Sequence, residues 1–241
     1  MDSKAPKRDT VIPYSAMGGP TPVIFTPYGA PRRPEDYLAP TPFLDFEHPV
    51  VAAFTAEATA GLQDPVDQAV ALFYAARDRI RYDAFRIDFN PKAFRASTVI
   101  EEGAAFCIPK AVLLAATARA VGIPAAIGLS DVINHFTTPK LQEKMGDCDV
   151  FIHHGYATLY LEGRWVKAAP AFNKEMCDRF GVGATEFDGR SHAILQEYDA
   201  DRNLRMEYLK DHGYWSDLPL DRIRDEFAAY YPPGFAKGLA Q

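Results

Sequence analysis

The sequence predicts an α+β fold, on two observations. Residues 48–122 read as successive helices, with apolar positions recurring at three and four. From Pro124 the pattern changes to short apolar runs separated by turns, without alternating β-α-β units, as expected of an antiparallel meander.

The elements follow in chain order. Residues 1–49 hold ten of the nineteen prolines, so they have few backbone donors and few helical options. They also carry Val23, Ile24, Phe25, Tyr37 and Leu44. A loose start followed by an extended arm lying on the core is expected. "HPVVAAFTAEATAG" reads as a helix stopped by Gly61. In "DPVDQAVALFYAARDRIRY", Asp64 is an N-cap and Pro65 suits the first helical position. "STVIEEG" has a Thr98–Glu101 capping-box spacing before a Gly stop. "CIPKAVLLAATARAVGIP" favours helix throughout; Pro109 is tolerable only in a first turn, and Gly122 and Pro124 end the run. "PAAIGLSDV" reads as a strand. "DVFIHHGYATLYL" and "RWVKAA" read as two more, joined by a tight turn at Glu162-Gly163. "NKEMCDRFGV" is a short helix with Asn173 at its N-cap, and "PLDRIRDEFAAYY" a last helix.

The bulk composition narrows the function. The chain has 241 residues, 48% hydrophobic, and a net charge of −6, with no basic run, so nucleic-acid binding is not expected. No apolar run reaches the ~18 residues of a membrane helix, and the first residues lack the apolar centre of a secretion signal. A cytoplasmic location is the expectation. Three cysteines at no metal-like spacing, Cys107, Cys148 and Cys177, read as reduced thiols.

Cys107 falls at or just before the first residue of its helix. Unpaired N–H groups and the positive end of the helix dipole there favour thiolate, which predicts a lowered pKa. A buried small hydrophobe is the ordinary alternative. A reactive thiol needs an imidazole nearby in space. The six candidates are His48, His135, His153, His154, His192 and His212. Strand alternation puts His154, Tyr156, Thr158 and Tyr160 on one face and His153, Ala157, Leu159 and Leu161 on the other. Period alone does not choose between the adjacent pair. That alternation also argues against one zinc ion shared by His153 and a neighbour.

The order Gly103-x-x-x-Cys107 at a helix start, then "ARAVGIPA", then "HGYATLYLEGRWVKAAPAF", resembles the transglutaminase-like cysteine superfamily over roughly residues 64–175. The resemblance implies a papain-like/transglutaminase-like core, with the Cys-bearing helix packed on an antiparallel sheet. It implies Cys107 as nucleophile and His154 as its partner, with Tyr156 and Trp165 at the family's aromatic positions bordering the substrate. The family's third residue, an Asp before Pro, is here Ala169 before Pro170. Asn173 is the candidate substitute, as in papain-like sites; Asp131 and Asp149 are other polar groups near strand ends.

The expected organisation is a proline-rich arm (1–49), a catalytic core (50–182) and a C-terminal extension packed on it (183–241). The expected activity is cofactor-free, metal-free acyl chemistry on a peptide, protein or small-molecule amide. It passes through a thioester and ends in hydrolysis or in transfer to an amine. Because of Ala169, a non-catalytic module that binds peptide or protein is the alternative.

Overall fold

The computed structural model describes residues 33–135, 137–194 and 206–239. Most of the proline-rich arm therefore lies outside the described residues. Seven α-helices are described: α1 (Pro49–Ala58), α2 (Pro65–Asp78), α3 (Ala96–Glu102), α4 (Cys107–Ala120), α5 (Pro139–Lys144), α6 (Lys174–Phe180) and α7 (Leu220–Tyr230). The strands are β1 (Arg81–Tyr82), β2 (Ala104–Ala105), β3 (Ala125–Asn134), β4 (Val150–Leu161), β5 (Arg164–Ala168) and β6 (Met206–Trp215). The last four form one antiparallel sheet in the order β5-β4-β3-β6. β1 and β2 form a separate parallel pair beside the start of α4.

Local chemistry sets most of these boundaries. Asp64 caps α2 by accepting from the Val66 and Asp67 N–H groups, and Pro65 opens the helix. The β4–β5 turn has positive φ at both Glu162 (48°) and Gly163 (80°), which matches the twist of a two-residue hairpin. The Thr98–Glu101 capping box does not form. α3 starts at Ala96, and Asp45 binds Ser97 N–H (3.0 Å) and Oγ (2.5 Å) from 52 residues away. A capping carboxylate from the arm thus replaces the local box.

α4 is the central element. Every residue from Cys107 to Arg119 is buried, walled by α2, α3 and one face of the sheet. That face is built by Ile127, Leu129, Ala157, Leu159, Val166 and Ala168. At the far end of α4, buried Arg119 donates to the carbonyls of Ala125, Ala39 and Ser216, tying the arm and the C-terminal part to the sheet. The opposite face of the sheet is aromatic. Tyr37 covers Trp165 and Tyr214 edge-on, with centroids at 5.3 and 5.8 Å.

The C-terminal part does more than pack on the core: β6 pairs with β3 inside the same sheet. α7 and the residues after it return to α4, where Phe227, Tyr231 and Phe235 share the core cluster of Cys107.

Candidate active site around Cys107

Cys107 is the first residue of α4, as its Pro109 and Gly122 spacing predicts. Gly155 of β4 brings the sheet against it. A Cβ on Gly155 would lie 2.7 Å from Ile108 Cα, closer than any side chain is accommodated. Gly155 thus points at α4, and its neighbours His154 and Tyr156 lie on the other face of β4.

Cys107 borders a cavity of about 30 Å³, room for about one water, together with Tyr82, His153 and His154. Phe227, Tyr231 and Phe235 roof it. The Tyr231 hydroxyl fixes that roof to β4: it accepts from Ile152 N–H (2.9 Å) and donates to the Val150 carbonyl (3.1 Å).

The electrostatics differ from the expectation of a low-pKa thiol. Burial pushes Cys107 up to about 11, although the N–H groups of Gly155, Ile108 and Cys107 itself pull the other way. Burial also lowers His154 to about 4. Under the closed roof the two are neutral thiol and neutral imidazole. They border one cavity, and no hydrogen bond joins them among the described residues. His154 Nε2 is buried without a partner. The absence of an Asp explains this. Ala169 is buried among Val132, Tyr156, Ile194, Met206 and Tyr208, an apolar cluster on the His154 face.

Asn173 does not take the Asp's place here. Its Oδ1 accepts from Tyr82 N–H (3.0 Å), and its side chain makes no cap to α6. Trp165 lies in the aromatic cluster under Tyr37. Tyr156 lies across Gly128 and donates to Asp211 (2.8 Å). Neither of these rings borders the Cys107 cavity. Of the predicted residues, Cys107 and His154 both line this cavity, although alternation along β4 turns the His154 side chain to the face away from α4.

A second cluster sits at a bulge in β4. The β3–β4 register shifts between Ser130 and Val132, and His153 takes φ +56°. Asp131 Oδ1 accepts from His153 N–H (3.0 Å) and from His212 Nε2 (2.9 Å). His153 Nε2 donates to Glu226 of α7 (2.6 Å), and its Nδ1 is buried without a partner. Burial, with His212 beside it, lowers His153 to about 4. Asp131, His153 and His212 place ligand atoms within 4.8 Å of one another, a three-residue donor set short of the four of a structural zinc site. Simple alternation did not reveal this group, because it depends on a bulge and on β6 and α7. Asp149 remains outside it, and His135 pairs with Glu207 at 2.6 Å.

A cysteine at a helix start, packed on an antiparallel sheet with a histidine at the same cavity, defines a thiol-bearing α+β class of domain. Residues 52–170 match the core of the Transglutaminase-like superfamily. No curated protein matches the chain. A similar solved structure is that of a Putative Cysteine Protease from Cytophaga hutchinsonii: 16% identity, TM-score 0.45, covering 61% of this chain and 45% of that one. The chain thus spans under half of that protein's length. Among the described residues, no helix is long and apolar enough to cross a membrane.

Proposed function

We propose that the chain performs acyl chemistry on an amide, with Cys107 as nucleophile and His154 as proton carrier. What supports this reading is a helix-start cysteine beside a cavity that His154, the histidine at the family's position, also lines. Both groups are neutral there, so the proton moves during attack rather than before it. Cys107 Sγ forms a bond to the carbonyl carbon, and the C–N bond breaks. The thiol proton passes through the imidazole to the leaving amine. The Cys107 N–H, in the first turn of α4 and without an intrahelical acceptor, supports the oxyanion. Water then splits the thioester to the acid, or an amine takes the acyl group. No metal or organic cofactor is needed for these steps. The roof of Phe227, Tyr231 and Phe235 has to move to admit substrate.

The test is acyl trapping by intact mass with an amide library, with and without added amine. A covalent acyl adduct that is lost in Cys107→Ala supports the reading; an adduct that survives the substitution overturns it. Product that forms only with added amine identifies transfer. Ala169 and the unpartnered His154 Nε2 favour a second reading, a peptide-binding module, which predicts binding without any adduct.

A further inference from the structure

A second, larger cavity of about 360 Å³ opens beside the thiol chamber. Tyr82, Ala84, Leu141 and Phe151 line both, so the two cavities adjoin. Tyr82 neighbours the thiol: its phenol is pushed far up by burial and then by Cys107. On the other side its ring meets Phe172 edge-on at 4.8 Å.

The lining is aromatic and sulfur-rich: Phe85, Phe151, Phe172, Phe180, Met176 and Met206. Phe85 (44% exposed) and Phe180 (51%) are the exposed large hydrophobic side chains among the described residues, and both belong to this cavity. Large apolar side chains left open to water around a concave apolar site mark a place where a ligand covers them. Of the charges that line the cavity, Arg81 pairs with Asp83 (3.1 Å) and Arg179 with Glu175 (3.1 Å), while Lys140 and Lys144 lie over the Phe85 ring at its edge. Polar side chains also line it, among them Asn134, Thr137, Thr138 and Thr185. Asn173 lines the cavity, and with its Oδ1 held by Tyr82 N–H, its Nδ2 makes no hydrogen bond among the described residues.

We infer that this cavity is the acyl-side pocket of the Cys107 site and selects an aromatic side chain. The ring packs among phenylalanines and thioethers, which favour edge-on and sulfur–ring contacts. Asn173 Nδ2 donates to a backbone carbonyl of the same ligand. This selectivity rests on the thiol reading for its purpose but not for its measurement.

The test therefore uses the full chain carrying Cys107→Ala, so that binding is read without chemistry. N-acetyl-phenylalaninamide and N-acetyl-alaninamide are titrated by calorimetry or ligand-observed NMR. The phenyl compound binds tighter by about ten-fold or more, the scale of burying one ring. Met176→Glu and, separately, Phe180→Glu, both at accessible positions, abolish that preference. Equal affinity for the two amides, or a preference that survives both substitutions, overturns the pocket. Acyl trapping on the unsubstituted chain reads the thiol separately, so absence of an adduct with a retained phenyl preference would count against the chemistry alone.

Discussion

Gly155 and Ile108 meet backbone to backbone: a Cβ on the glycine would stand 2.7 Å from the helix Cα. The sheet thereby fixes where the sulfur sits, because Cys107 is the residue before Ile108. Gly155→Ala pushes the start of α4 away from β4. The expected cost is about 1–3 kcal/mol, the range for overpacking, read as a lowered urea midpoint. Cys107 alkylation changes with it, while Cys177, on α6, labels as before.

The roof controls access to the thiol. With Cys107 at about 11 and largely covered, iodoacetamide should modify half-buried Cys148 ahead of it through neutral pH. Phe235→Ala removes a roof side chain and should speed Cys107 modification about ten-fold or more, given the thiolate's role as nucleophile. Peptide mapping by mass reads both. Unchanged Cys107 kinetics in Phe235→Ala would show that the cover lies elsewhere.

Acid should loosen the molecule before carboxylates titrate. His153 and His154 are both held near 4 by burial, against about 6.5 when unfolded. Between those values the unfolded chain binds more protons, so stability falls as pH falls from about 6.5 to 4. For His154 alone the full shift corresponds to roughly 3 kcal/mol. Chemical denaturation at pH 7 and pH 4.5 reads it. His154→Gln should flatten the slope in that window.

Lys110 gives a second pH signature with a different window. Its Nζ is buried in the first turn of α4 and donates to the carbonyls of Arg77 and Ile80. Burial lowers it from 10.5 to about 7. Folding therefore disfavours its charge, and stability rises with pH from about 7 to 10.5, then levels. Lys110→Met should flatten the difference across that window, about 5 kcal/mol at most. The substitution also leaves two carbonyls unpaired, so the diagnostic is the change in slope, not the stability at one pH.

Legibility from sequence followed the range of the interactions. The start of α4, the Asp64 cap and the Glu162-Gly163 hairpin were readable because neighbours within a few residues fix them. β6 was not, since "MEYLKDHGYW" carries Lys210, Asp211 and His212 in mid-strand and gains its place only by pairing with β3. The α3 boundary escaped for the same reason, its cap coming from Asp45. The sign of the Cys107 shift was misread because the helix start is local, while the burial that outweighs it comes partly from residues 227–235. The family resemblance singled out Cys107 and His154, which line one cavity. It did not lead to the Asp131–His212 and His153–Glu226 contacts made by β6 and α7.

The order in which the cover is made has a consequence for the living cell. Translation produces the helix and strands that flank Cys107 well before α7, Tyr231 and Phe235. A nascent chain thus offers its sulfur bare to peroxide and electrophiles, and docking of the final helix ends that exposure. Oxidative damage at this position should accumulate on newly made or stalled chains and spare those already folded.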